Sequence, residues 1–213
     1  MSSEPSDLRT RKRLATRRSI SLAADRLFRE KGFDTVTVDE IAAAADVGRM
    51  TVFNYFPRKE DMFFDRDEEG REILREALRQ RDPEVSPIET LRRLVHRLVA
   101  EEAPYLRFSA DSQDFVRTVE RSITLKARAR EIRDELADVT AVALAEGVGR
   151  TVDDAEARLA AGLLLATWTV AFAEAHRTYQ RTGDAATATA VFLALIDQGS
   201  RGAVAALIDT PYG

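Results

Sequence analysis

The sequence predicts an all-α protein, and three observations predict it. Apolar residues recur at spacings of three and four over long stretches, the period of an amphipathic helix. No apolar/polar alternation persists for six residues. Ten Gly and six Pro in 213 residues leave long runs without a breaker. A hydrophobic content of 45% is enough for a packed core and argues against disorder. The length suits one large domain, or a small one followed by a larger one.

Composition also narrows the function. There is no Cys, which removes disulfides, thiolate metal sites and a Cys nucleophile. His96 and His176 are the two histidines, without His-Glu-x-x-His spacing or an Asp-rich calcium loop, so no metal and no cofactor is expected. Arg17-Arg18 is not followed by the apolar run of an export signal, because Asp25, Arg26, Arg29 and Glu30 interrupt it. No stretch of ~18 uncharged apolar residues is found, so no membrane span and a cytoplasmic location are expected.

The elements follow in order. Ala15, Ser19, Leu22, Ala23, Leu27 and Phe28 mark a helix from about Arg9 to Lys31, stopped by Gly32. Thr37-Val38-Asp39-Glu40 is a capping box that starts a short helix to about Ala45. Asp46-Val47-Gly48 forms a turn, Arg49–Tyr55 the next helix, and Pro57 ends it. A helix from about Arg58 past Arg79 is expected next. Ser86 caps another, with Pro87 in its first turn, running to about Glu102. Further helices are expected over 112–122, 126–146, 153–182 and 187–208, about nine in all. The expected division is an N-terminal arm and small helical domain over 1–57 and a larger helical domain over 58–213.

Charge is uneven. Residues 1–60 hold twelve basic and nine acidic side chains, a balance of +3, which leaves −7 for the remainder of a chain of net charge −4. A basic head on an acidic body fits a polyanion bound at one end. In the helix pair of residues 38–55, Ile41, Ala42, Ala45, Val47, Val52 and Tyr55 occupy the positions where two helices crossing at a tight turn meet. Arg49, Met50, Thr51, Phe53 and Asn54 are left facing outwards. That face can enter a major groove: Arg49 suits guanine, Asn54 adenine, and Met50 or Phe53 a thymine methyl. Thr37, Tyr55 and Lys59 stand at helix ends, where phosphates are met.

Residues 35–62, from Thr35-Val36-Thr37-Val38-Asp39-Glu40 through Asn54-Tyr55-Phe56-Pro57 to Lys59-Glu60-Asp61-Met62, closely resemble the DNA-binding domain of TetR-family regulators, as does the Phe28…Gly32-Phe33 ending of the first helix. The resemblance covers about residues 10–65. It implies a sequence-specific DNA-binding regulator, not an enzyme: a repressor bound as a homodimer to an inverted-repeat DNA operator and released by an unidentified small-molecule effector. The chain departs from the family pattern at Asp46, where Gly is usual, at Gly48, where a Ser cap is usual, at Phe53, where Tyr is usual, and at Arg58, which replaces a small residue. Those departures keep open an alternative, a helical dimer acting through a protein partner without DNA.

The helix at 153–182 is apolar around most of its circumference, so it needs cover on two sides. Leu164, Trp168, Val191 and Leu195 are the expected dimerisation residues. Phe63, Phe108, Phe115, Trp168, Phe172 and His176 are candidates to line a cavity for an apolar-bodied ligand. His96 is expected to be exposed. A nucleophile–base pair, a metal triad and a phosphate loop are all missing from the sequence.

Overall fold

The computed structural model describes residues 5–213, so the first four residues of the expected arm lie outside the described residues. Ten α-helices make up the fold: α1 (Pro5–Lys31), α2 (Val38–Ala44), α3 (Arg49–Tyr55), α4 (Lys59–Phe63), α5 (Asp67–Arg79), α6 (Pro87–Ala100), α7 (Ala110–Arg121), α8 (Ile123–Gly147), α9 (Ala155–Thr182) and α10 (Ala185–Ala206). A short 3-10 turn spans Pro104–Leu106, and no strand occurs among the described residues. The tenth helix arises because the segment expected as one helix from Arg58 to Arg79 is broken at residues 64–66. There Ser21 donates to the Asp65 carboxylate and Arg17 to the Asp65 carbonyl, so that carbonyl is held outside a continuous helix.

The chain forms two compact units. The N-terminal unit comprises the residues up to Asp67 together with Thr118–Arg128; the C-terminal unit comprises Glu68–Arg117 and Ala129–Gly213. This differs from a division at residue 57. The corner between α7 and α8 belongs to the N-terminal unit because Leu125 is fully buried in that unit's core. Ser122 Oγ also donates to Asp34 at 2.9 Å, and Arg128 Nε to Asp61 at 2.8 Å. The same core contains Ile20, Ala24, Leu27, Phe28, Phe33, Ile41, Val52, Phe56 and Met62. Of the expected buried face of α1, Ala23, Leu27 and Phe28 are buried, whereas Leu22 is 61% exposed and Ala15 and Ser19 face solvent.

In the C-terminal unit, Ser86 caps α6 by accepting from Glu89 N, and Asp154 caps α9 by accepting from Ala157 N. Gly183, at φ +67, ends α9 in the left-handed conformation that favours glycine. After this two-residue link α10 returns along α9. The two approach so closely that a Cβ on Gly199 would fall 2.2 Å from the Thr167 side chain. One core cluster contains Leu74, Leu91, Leu144, Leu164 and Tyr212; another contains Val95, Phe108, Ala171, Phe192 and Ile196. By length and composition alone α9 is long and apolar enough to cross a membrane, with a mean hydropathy of 1.3 over 18 residues, a test that the core helix of a soluble protein also passes. Its inward stripe of Leu164, Leu165, Ala171 and Ala175 is instead packed in the protein's own core.

Candidate nucleic-acid interface

The pair α2–α3 is assembled by local chemistry. Thr37 Oγ1 accepts from Glu40 N at 3.2 Å, and the Glu40 carboxylate accepts from Thr37 N at 2.9 Å, closing the capping box. Lys31 Nζ lies 2.6 Å from Glu40, and chiefly this bond, with those from Thr37, lowers the Glu40 carboxyl to a pKa of about 2. Asp46 takes φ +55, the left-handed conformation of the turn, which Asp tolerates better than most residues. Gly48 caps α3 in extended backbone with no side chain to bond. Ile41, Ala42 and Val52 then close the crossing, all buried.

What remains outside is one face of α3. Met50 is 70% exposed, Arg49 and Asn54 are exposed, and Thr51, Phe53 and Tyr55 are half-buried. Arg49 Nη1 donates to Asp39 at 2.8 Å, and its guanidinium stands 5.6 Å from the Phe53 ring. Asp39, near the start of α2, was not singled out in the sequence, although an acid ten residues before Arg49 and across the turn is a readable signal.

Two residues expected at phosphates are engaged within the protein. Lys59 Nζ donates to the carbonyls of Phe33 and Val36 at 2.9 and 3.0 Å and lies 4.3 Å from the Phe33 ring, so two of its three N–H groups fasten the loop after α1. The Thr37 hydroxyl serves the α2 cap. Arg17 was also missed: its guanidinium stacks 4.6 Å from the ring of Phe56, the residue that follows α3.

A small helical unit whose third helix leaves a polar and apolar face outside, over a buried crossing with the second, is a helix-turn-helix protein. Residues 20–65 match the model of the tetR family of bacterial regulatory proteins. Over the whole chain the fold is similar to that of a protein from Mesorhizobium loti MAFF303099 assigned to the TetR family of transcriptional regulators. That match has a TM-score of 0.54 and 19% identity, covering 91% of this chain and 97% of the other. A second solved structure, FadR of Thermus thermophilus, a TetR-family transcriptional repressor in complex with lauroyl-CoA, matches with a TM-score of 0.47 and 27% identity, covering 88% and 93%. No curated protein matches the sequence.

The C-terminal candidates are dispersed. Phe63 packs with Phe28, Phe33 and Phe64 in the N-terminal unit, so it lines no cavity with the others. Phe115 is 41% exposed. Phe108, Phe172 and His176 do meet, with ring centroids 4.4–6.3 Å apart, and Trp168 packs on the same cluster. Gln113, missed in the sequence, is buried against His176, its Nε2 2.8 Å from the His176 carbonyl and 3.1 Å from Nδ1. The carbonyl contact fixes the amide orientation, so Gln113 donates to Nδ1 and the ring proton sits on Nε2. Burial lowers the His176 pKa to about 4. Nε2 and the Trp168 Nε1 are both buried without a partner.

Of the dimerisation candidates, Leu164 is fully buried in the protein's own core, Trp168 is packed on both clusters, and Val191 and Leu195 are half-buried. The outward apolar stripe of α9 is a different one: Leu159, Gly162, Ala166, Val170 and Ala173. His96 is not simply exposed, for its Nε2 lies 2.8 Å from Asp197. Among the described residues no group of three or more His, Asp or Glu is placed to hold a metal.

Proposed function

We propose that this protein is a sequence-specific transcriptional repressor that binds an inverted-repeat operator as a homodimer and is released by a small apolar-bodied ligand. The observation that carries the DNA reading is the outward face of α3, where Arg49, Met50 and Asn54 project beyond a buried crossing. Arg49 reads guanine after leaving Asp39, Asn54 reads adenine, Thr51, Phe53 and Tyr55 make the flanking contacts, and the remaining N–H of Lys59 meets a phosphate. A repressor of this kind works where the DNA is, in the cytoplasm. Binding of the DNA upstream of its own gene, measured by fluorescence anisotropy against a random duplex, tests this. Arg49→Ala should lower preference at one base position by about 1–3 kcal/mol. No preference between the two duplexes in the unaltered protein would overturn the reading and favour a dimer that acts through a protein partner.

Homodimerisation is supported by the outward stripe of α9, with Leu159 51% and Val170 54% exposed and Gly162 and Ala166 between them. Spacings of three and four put all of these on one face, opposite Leu164, and small residues let a second helix approach. Sedimentation should give about twice 23.7 kDa at micromolar concentration, and Val170→Glu should halve it.

For the ligand, the aromatic cluster supplies two unpartnered donors, Trp168 Nε1 and His176 Nε2, the latter on an imidazole kept neutral by burial. Buried donors favour a ligand bearing a neutral acceptor such as a carbonyl on an apolar body. A second reading has its own observation: an open groove of about 790 Å³ between α5 and α6, floored by Ile73, Ala77 and Leu94 and edged by Arg93 and Arg97. Quenching of Trp168 fluorescence by a releasing ligand, lost in Trp168→Phe and weakened in His176→Phe, supports the aromatic cluster. Release unaffected by both variants and abolished by Leu94→Trp assigns the groove.

A further inference from the structure

We propose that Asp39 is a specificity-determining residue of the DNA interface. With Arg49 it forms a donor–acceptor pair that reads both bases of one G·C pair, Arg49 on the guanine and Asp39 on the exocyclic amine of the cytosine. This rests on the DNA-binding reading above and adds to it a residue of α2. Asp39 Oδ2 accepts from Arg49 Nη1 at 2.8 Å, with the Arg49 side chain 58% and the Asp39 side chain 63% exposed. The turn brings the two together, Arg49 as the first residue of α3 and Asp39 as the second of α2.

The fold does not require this carboxylate. The start of α2 is closed by Thr37 and Glu40, whose side chains each accept from the other's backbone N–H. Glu40 also supplies an acid to the first turn, where the helix dipole favours one. An exposed ion pair of this kind is held only about 1.5- to 5-fold over its open form. On a face offered to a polyanion, phosphates repel the same carboxylate, and once water leaves the interface a charge without a partner is costly. A carboxylate one hydrogen bond from the first residue of α3 therefore calls for a donor on the DNA.

The major groove offers two such donors, the amines on cytosine N4 and adenine N6, and Arg49 decides between them. Its fork fits guanine O6 and N7, and the base opposite that guanine is cytosine. Cytosine N4 lies one N–H···O bond from guanine O6, ~2.9 Å. The protein's own donor and acceptor stand 2.8 Å apart, in the complementary order, guanidinium towards O6 and carboxylate towards N4. When Arg49 leaves Asp39 for the guanine, the freed carboxylate closes on the amine, so both halves of the lost ion pair are replaced. An A·T pair in the same orientation sets adenine N6 against the guanidinium and thymine O4 against the carboxylate, donor facing donor and acceptor facing acceptor.

The test uses the full chain, unaltered and with Asp39→Ala or Asp39→Asn, both of which leave the Thr37–Glu40 cap in place. Affinity is measured for the upstream duplex and for each of its single-base-pair changes, and Arg49→Ala locates the guanine. The cytosine opposite is then replaced by 2-pyrimidinone, which keeps the ring and lacks the amine. Loss of the amine should weaken the unaltered protein about 10-fold and Asp39→Ala less than about 2-fold, with preference at other positions unchanged. The penalty for A·T at that position should shrink in Asp39→Asn, whose amide can donate to thymine O4. No loss in the unaltered protein, or an equal loss in Asp39→Ala, overturns the proposal. A uniform rise in affinity for every duplex in both variants does so too, making Asp39 a charge that faces phosphate only. If Arg49→Ala still lowers preference at a G·C pair in those cases, the DNA reading stands without Asp39. If Arg49→Ala lowers preference nowhere, Arg49 reads no base and Asp39 falls with it. An unaltered protein without preference for the upstream over a random duplex overturns both readings.

Discussion

The two units handle polar groups in opposite ways. In the N-terminal unit helices of five to seven residues follow α1, and polar side chains work at their ends: Thr37 and Glu40 on α2, Lys59 on the loop carbonyls, Arg17 on Asp65. The C-terminal unit has helices of 12 to 28 residues and buries polar groups in mid-helix, among them Gln113, Thr140, His176, Thr178 and Ser200. Buried atoms there without a partner include Trp168 Nε1, His176 Nε2 and Ser200 Oγ. Each such group costs about 1–3 kcal/mol when dry. The difference teaches that the first unit spends its polar groups on helix ends and on the joints between helices, whereas the second carries unmet hydrogen-bonding capacity in a packed interior.

The sharpest contrast to test is between inward and outward faces of α9. Leu164→Ala removes a fully buried side chain and should lower stability by about 2–5 kcal/mol in denaturant unfolding. Leu159→Ala on the exposed stripe should leave protomer unfolding nearly unchanged. Should Leu164→Ala instead dissociate a dimer without loss of fold stability, the assignment of the two faces is reversed.

Glycine substitutions come next in size. Gly199→Ala drives a methyl into Thr167 and should cost about 1–3 kcal/mol, while Gly202, with nothing within 4 Å, should accept Ala with a small gain in helix stability. Equal effects at the two positions would mean that α9 and α10 are not held at this distance.

Acid distinguishes the units as well. His176 titrates near 6.5 when unfolded and near 4 when folded, so the unfolded chain takes up its proton first. The stability owed to neutral His176 is complete above pH 6.5 and falls as pH drops from 6.5 towards 4. His176→Phe should flatten unfolding free energy across that window. In the N-terminal unit Glu40, lowered from 4.5 to about 2, loses its contribution only between those lower values. The smallest expected effect is at the α3 cap: Gly48→Ser, with only Thr51 Oγ1 at 3.8 Å, should add a few tenths of a kcal/mol.

How far the sequence could be read follows from the same contrast. Thr37, Glu40, Asp46 and Ser86 announce caps and turns within four residues, and each is found in that role. Long-range ties left no such mark. Nothing local says that Asp65 will be held by Ser21 and Arg17, so the break between α4 and α5 was hidden, as was the placing of Leu125 in the N-terminal core. On α1 the reading holds for Ala23, Leu27 and Phe28 and fails at Leu22, which is apolar yet exposed, and at Ala15 and Ser19. On α9 every side is apolar, so periodicity alone cannot say that Leu164 points in and Val170 out.

The pairing of Arg49 with Asp39 has a consequence in time. An exposed ion pair is held by about 0.2–1 kcal/mol, so it stands open for a sizeable fraction of any interval. Exposed side chains change rotamer in picoseconds to nanoseconds. A whole protein stepping between adjacent registers of a duplex moves more slowly than one guanidinium swings. If Arg49 reads bases as proposed, at each register it would leave Asp39, test the groove and return many times before the protein moved on. The pace of the search would belong to the body and not to the side chain that does the reading.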